Sequence, residues 1–176
     1  MSIPRTFLVG FMGAGKNVVG RALAELAGLP FVDTDREVER AEGMSIEEIF
    51  QRRGEGAFRE AEWKALHALE GSGPAVVATG GGLFLGVENR RIVRRLGRSV
   101  WLDVPLEVAA ARVGPPAGRP LWTQDPLTLR ALFERRRASY ALADVRVDAS
   151  AAPAREIARA LLLNSRIFPP EFARSR

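Results

Sequence analysis

The sequence predicts an α/β protein: a five-stranded parallel sheet with helices on both faces, in three layers α/β/α. Three observations predict it. Five short apolar runs alternate with segments of helical period along the 176 residues, and parallel strands need helical crossovers of that kind. The most polar or glycine-rich junctions, Gly10 to Asn17, Asp33 to Asp35 and Gly80 to Gly82, each follow one of those runs. They therefore gather at the carboxyl edge of the sheet, where ligands of such folds bind. Composition agrees, because 47% hydrophobic and 27% charged residues describe a globular chain far from the disordered class.

Thr6 to Val9 is the first strand, ending at Gly10, and Val18 to Ala27 has apolar residues at helical spacing with Gly28 as a stop. Phe31 and Val32 form a second strand that ends at Asp33. From Arg36 to Glu70 the chain is charged and helical in period, broken near Gly43 and Gly54, and Ser45 with Glu48 has the spacing of a capping box. Val76 to Thr79 is a third strand running into Gly80, Gly81 and Gly82. Glu88 to Leu96 reads as a helix, Val100 to Asp103 as a strand, and Pro105 to Val113 as a helix with proline in its first turn. Residues 114–125 lose all period and form a loop long enough to be functional. Leu127 to Ala143 is helical, Val145 to Val147 a short strand, and Ala154 to Leu163 a last helix opened by Pro153. One domain is expected over residues 1–164, with 165–176 a flexible tail.

Cysteine is absent and His67 is the one histidine. That removes disulfides, thiolate nucleophiles, Cys/His zinc sites and any Ser-His-Asp triad that does not use His67. His67 sits among Ala65, Leu66 and Ala68 and reads as structural or exposed. The net charge is +5, and only Lys16 and Lys64 among the basic residues are lysine. Arg90, Arg91, Arg94, Arg95 and Arg98 make a basic helical stripe, but no aromatic residues interleave with it, so it reads as a solvated face and no nucleic-acid partner is expected. No apolar run approaches the roughly 18 to 20 residues that span a bilayer. The chain is expected to be cytoplasmic, without a membrane partner.

Gly10-Phe11-Met12-Gly13-Ala14-Gly15-Lys16-Asn17 has the G-x-x-x-x-G-K spacing of a phosphate-binding loop, between a predicted strand and a predicted helix. Its amides can turn inward as an anion nest at the start of a helix, and Lys16 adds a point charge for the terminal phosphates. Gly13, Ala14, Gly15, Lys16, Asn17 and Val18 are thus candidate nucleotide-binding residues. A mere glycine-rich turn would need both the lysine and the strand-helix context to be accidental.

The last position departs from the pattern, which wants a Ser or Thr hydroxyl for magnesium. The amide oxygen of Asn17 can coordinate a hard cation, but its NH2 would repel the metal if turned inward, so magnesium is expected to be held more weakly or through water. Asp33 and Asp35 flank Thr34 at the end of the second strand. One, assigned as Asp33, can hold magnesium through water while the other accepts a proton from a substrate hydroxyl or orients it. The competing role is helix capping, which suits Asp35 just before Arg36.

Taken in order over roughly Phe7 to Asp148, these residues resemble the shikimate kinase family: GFMGAGKN, DTD at 33–35, SIEEIF at 45–50, GEGAFREAE at 54–62, GGG at 80–82, RPL at 119–121 and RRRASY ending at Tyr140. The resemblance implies a P-loop kinase fold and an enzyme that phosphorylates the 3-hydroxyl of shikimate with ATP and Mg2+, in the formation of chorismate and the aromatic amino acids. It implies Lys16, Asp35 and Arg119 as catalytic residues and Arg119 as a further nucleotide contact. Asp35, Arg59, Gly81, Gly82, Arg136 and Glu62 are then the substrate-binding set, with Asn17 and Asp33 at the metal. Arg59 and Arg136 would fork onto the substrate carboxylate as only guanidinium groups can, and Glu62, one helical turn from Arg59, would brace it.

Arg135 and Arg137 flank Arg136, so a slip of one residue stays open. Phe50 and Phe58 either wall the substrate ring or pack the core. The family's lid corresponds to residues 114–125, carrying Arg119 onto the transferring phosphate, with Trp122 helping to seat it. That chemistry needs no partner subunit, so a monomer is expected. Asp148 to Ala152 offers little to grip adenine. Three other readings remain: a nucleotide-binding module whose Asn17 marks lost metal chemistry, another small-molecule kinase such as a gluconate kinase, and a basic nucleic-acid binder.

Overall fold

The computed structural model of the chain describes residues 5–113, 125–170 and 172. The expected lid with Arg119 and Trp122 lies outside them, apart from Asp125. Five parallel strands, β1 (Arg5–Val9), β2 (Phe31–Asp33), β3 (Val76–Ala78), β4 (Gly97–Asp103) and β5 (Val145–Asp148), form one sheet in the order β2-β3-β1-β4-β5. Every residue of β1 and β3 is buried. Because alternate strand residues point to opposite faces, that pattern requires cover on both sides, which the helices supply.

Helix α1 (Lys16–Ala27) follows β1 and packs against α7 (Ala154–Leu162). On it Val19, Leu23, Ala24 and Ala27 recur at helical spacing and are buried, and Gly28 in the left-handed region ends it as expected. Helices α2 (Thr34–Glu42) and α3 (Ile46–His67) pack on each other around a second, smaller core of Val38, Ile49, Phe58 and Ala61. Both expected breaks are present: Gly43 separates the two helices, and Gly54 (φ 80°, ψ 175°) leaves the helical region and divides α3 into two helical stretches at a kink. The capping box forms, with the Glu48 amide donating to Ser45 Oγ at 3.2 Å and the Ser45 amide to Glu48 Oε2 at 2.9 Å.

After β3 the three glycines lead into a single 3-10 turn, Leu83–Leu85, which periodicity did not predict. Helices α4 (Val87–Leu96), α5 (Leu106–Val113) and α6 (Pro126–Tyr140) complete the order. Pro105 stands just before α5, its carbonyl oxygen accepting from the Ala109 amide at 3.0 Å. The arginine stripe of α4 is tied down locally: Arg90 donates to the carbonyl oxygens of Phe84 and Leu85 at 2.9 and 2.5 Å, Arg91 pairs with Glu88 at 2.6 Å, and Arg95 pairs with Glu70. His67 stacks on Trp63 at 3.6 Å between ring centres, a structural role.

The expected flexible tail past Asn164 is corrected over the described residues. Ile167 and Phe168 are 2% and 1% exposed, and Phe172 stacks on Phe168 at 5.3 Å. Their amides at 167 and 168 donate to the Asn164 carbonyl at 2.9 and 3.0 Å, so a turn presses two large apolar side chains into the core. Burial of each contributes about 1.5–3 kcal/mol, which outweighs fraying. Among the described residues no helix is long and apolar enough to cross a membrane.

Candidate active site

The loop after β1 takes the shape its glycines permit. Gly10, Gly13 and Gly15 have φ of 145°, 80° and 89°, a region that side chains disfavour. Gly13 also lies against α5, where a Cβ would come within 2.9 Å of the Ala109 carbonyl carbon. Gly15 is the N-cap of α1 and offers no side-chain capping bond, so the first amides of the helix stay open to an anion. Lys16 Nζ donates to the carbonyl oxygens of Gly10 and Phe11 at 2.9 and 3.0 Å, which holds the ammonium over the loop.

Asp33 closes β2 and caps α2, accepting from the Asp35 amide at 3.1 Å through Oδ1. The capping role falls to Asp33, and Asp35 belongs to the first turn of the helix, because α2 starts at Thr34 rather than after Asp35. The other oxygen of Asp33 accepts from Asn17 Nδ2 at 2.6 Å. The unfavourable NH2 of Asn17 is therefore turned onto a carboxylate, and Oδ1 is the atom left for a cation. This donor set fits magnesium. Among the described residues no group of three or more acidic or histidine side chains could cage a metal alone, and Mg2+ is ordinarily held by one or two protein ligands with phosphates and water.

The opposite end is built from α3, α6 and the glycine turn. Arg59 donates through Nη1 to Glu62 Oε2 at 2.6 Å, and through Nε and Nη2 to Glu55 Oε1 at 3.2 and 2.8 Å. Arg136 is 3% exposed and comes from the buried face of α6 that also carries Leu129, Phe133 and Tyr140. Of the neighbouring arginines it is Arg136 that lines the cavity, whereas Arg137 points elsewhere, towards Asp103 and the Trp101 ring. Tyr140 donates its hydroxyl to the Gly81 carbonyl at 2.5 Å, and the Gly80 amide donates to Thr34 Oγ1 at 2.9 Å. The glycine turn is thus pinned from both sides. A side chain on it would press on the surrounding groups: a Cβ at Gly80 would stand 2.7 Å from Glu62 Oε1 and one at Gly82 2.6 Å from Arg59 Cζ, so those side chains would have to move, whereas one at Gly81 would meet Arg136 Nη1 at a tight 3.3 Å.

Burial dominates the electrostatics here. It pushes the Glu62 carboxyl up to about 7, against the pull of Arg59 and with the help of Asp35. It lowers Arg136 and raises the Tyr140 phenol to about 12. Burial also opposes the charge of Arg59, but Glu62 and Glu55 outweigh it and hold that group above its ordinary value.

Both ends open into one cavity of about 710 Å³. Gly13, Ala14, Gly15, Lys16, Asn17 and Val18 line it at one end, and Asp35, Arg59, Glu62, Gly81, Gly82 and Arg136 at the other. Asp33 bonds to this wall through Asn17. Of the proposed site residues only Arg119 lies outside the described chain. Phe50 and Phe58 both line the cavity, with rings 4.9 Å apart, and Phe58 is also buried in the second core.

Comparison with known proteins decides the family. The family model for shikimate kinase matches residues 12–165. The chain belongs to the shikimate kinase family. The shikimate kinase of Persephonella marina is 44% identical over 142 residues, covering 81% of this chain and 87% of its relative. The structure of shikimate kinase from Acinetobacter baumannii in complex with shikimate is 38% identical with a TM-score of 0.87, covering 92% of each chain. A gluconokinase from Sinorhizobium meliloti, at 24% identity and a TM-score of 0.53 over 99% of this chain and 95% of that one, shares the fold alone. This member of the shikimate kinase family is accordingly an ATP-dependent small-molecule kinase.

Sequence reasoning missed three features of this family member. Glu55 occupies one edge of Arg59, which its position four residues earlier on α3 could have indicated. Tyr140 appeared only as the end of a motif, without its clamp on Gly81. Arg112 of α5, with Ala149, Ala152 and Pro153, walls the cavity beside the phosphate loop, and its Nη2 donates to the Ser150 carbonyl at 2.8 Å. The stretch after β5 is therefore not bare, but no local pattern announces a contact across 38 residues.

Proposed function

We propose that the chain is a shikimate kinase that transfers the γ-phosphoryl group of ATP to the 3-hydroxyl of shikimate, giving 3-phosphoshikimate and ADP. The observation that carries this reading is the single cavity with a phosphate loop at one end and two guanidinium groups beside a carboxylate at the other. The amides of residues 13–18 and Lys16 hold the phosphates, and the base lies towards Arg112 and Pro153. Arg59 and Arg136 take the carboxylate of shikimate, which presents its hydroxyls to Asp35. The 3-hydroxyl oxygen forms its bond to the γ-phosphorus as the β,γ-bridge bond breaks, the electron pair leaves with ADP, and the hydroxyl proton goes to Asp35. Asn17 Oδ1, and Asp33 through water, would hold Mg2+, which neutralises charge on the phosphates when bound. The guanidinium of Arg119 would stabilise the charge on the transferring phosphoryl group. A monomer in the cytoplasm completes the reading.

Coupled ADP release measured with shikimate, with gluconate and with neither acceptor tests it. Release that requires shikimate is expected. Release with gluconate in its place would assign another kinase, and ATP binding with no release would assign the nucleotide-binding module that Asn17 raises.

A further inference from the structure

The acceptor end holds more negative charge than positive before any substrate arrives. Arg59 and Arg136 face Glu55, Glu62 and Asp35, and Arg59 already donates to two of those carboxylates. A substrate acid adds a fourth. Glu55, with 54% of its side chain exposed, can turn to solvent, which screens it. Glu62 has no such exit. Its side chain is 1% exposed, and among the described residues its Oε1 has no hydrogen-bond partner. That oxygen abuts Gly80, and Asp35 Oδ1 lies against the same point of the turn.

We propose that Glu62 fits the site to an anionic acceptor by taking up a proton from solvent as the acceptor's carboxylate seats on Arg59 and Arg136, a linkage that rests on the acceptor reading above. The proton lands on Oε1, where it converts an unmatched acceptor into a donor towards Asp35, while Oε2 keeps its bond to Arg59. The groups that face Glu62 are Arg59 and, through it, Glu55 on its own helix, Asp35 from α2, and Arg136 and Tyr140 from α6. The two guanidinium groups favour its carboxylate form, and burial and Asp35 oppose it. An incoming carboxylate draws on both guanidinium groups and removes the attraction that holds the charge. In the free protein Glu62 stands near balance at neutral pH, so a modest bias moves the proton.

The direction of the pH effect follows. Below the free-state value Glu62 is already neutral and acceptor affinity is flat. Between the free and bound values affinity falls by up to about tenfold per pH unit. Above the bound value it is flat again.

Calorimetric titration of shikimate into the full chain, near pH 7.5 in buffers of different ionisation heat, counts the protons. Net uptake of a few tenths of a proton is expected. The wild-type slope needs no variant, and the Glu62→Gln variant should show none, with affinity independent of pH, because its amide gives Asp35 the same donor and Arg59 the same acceptor. His67→Asn should keep the uptake, and the neutral methyl ester of shikimate should bind without it. Binding with no buffer dependence, or uptake that persists in Glu62→Gln, overturns the linkage alone. Absence of any shikimate binding removes the acceptor reading and the linkage with it.

Discussion

Replacing Gly82 by alanine separates the acceptor site from the fold. At φ −100° and ψ −18° Gly82 has a backbone that any residue adopts, so the substitution brings no conformational strain. What it brings is a methyl group 2.6 Å from Arg59 Cζ and 2.8 Å from Nη2, and closer still to Nη1, where ordinary contact begins at 3.4 Å. The guanidinium must leave, and the 2.6 Å bond from Nη1 to Glu62 goes first. Arg59 is 30% exposed and keeps Glu55 as a partner, so it swings outward without opening the core. A hydrogen bond to a charged group is worth about 1.5–3 kcal/mol, and losing one from the anchor of the acceptor carboxylate raises KM for shikimate roughly 10- to 100-fold. Steady-state kinetics should show that rise with KM for ATP unchanged, and the melting temperature should stay within a few degrees of wild type. Gly81→Ala should be milder, since its Cβ would stop 3.3 Å from Arg136 Nη1. An unchanged KM for shikimate in a folded Gly82→Ala protein would show that Arg59 does not anchor the acceptor.

Three further outcomes are expected. Glu62, raised by burial from 4.5 to about 7, binds a proton in the folded state that the unfolded chain has released across that window. Its contribution is complete below about pH 4.5 and is lost as pH rises to about 7, amounting to about 3 kcal/mol. Urea midpoints should therefore fall between pH 5 and pH 8 more steeply for wild type than for Glu62→Gln, and parallel curves would refute the assignment. Asn17→Ser should raise turnover at limiting magnesium by restoring the hydroxyl ligand, whereas equal or lower activity would count against Asn17 as the weaker metal contact. Phe168→Ala should cost about 3–5 kcal/mol in chemical denaturation, against almost nothing for a residue in a frayed tail.

The phosphate loop was legible because its chemistry fixes both spacing and residue type: the glycines at 10, 13 and 15 supply the positive φ that the turn uses. The acceptor end was legible only through motifs, since what makes it a site is contact between distant segments. Gly82 meets Arg59, Gly81 meets Tyr140, and Gly80 meets Thr34 across gaps that no periodicity spans. The ambiguity among Arg135, Arg136 and Arg137 was soluble in principle, because Leu129, Phe133, Arg136 and Tyr140 keep helical spacing on one face. Of the two aspartates that could cap α2, Asp33 does so because the helix starts at Thr34: a cap accepts from an amide two or three residues on, and Asp33 stands at that distance from Asp35. Past Asn164 the prolines at 169 and 170 and the basic end suggest a flexible tail, whereas the adjacent Ile167 and Phe168 need only one turn to reach the core.

The strand-to-helix change at Thr34 explains how two neighbouring carboxylates serve opposite ends of one cavity. Along a strand, residues two apart point the same way, so a β2 prolonged through Asp35 would aim both aspartates at the phosphate loop. Instead β2 ends at Asp33, which pairs in register with Ala78 and bonds to Asn17, and the chain turns helical at once. Each helical residue is rotated by about 100° from the last, which carries the Asp35 side chain round to Gly80 and Glu62. Thr34 fixes the junction, its hydroxyl accepting from the Gly80 amide at 2.9 Å. The phosphate-loop end and the glycine-turn end are thus joined through one buried threonine, and a shift of that junction by a single residue would misplace both carboxylates together.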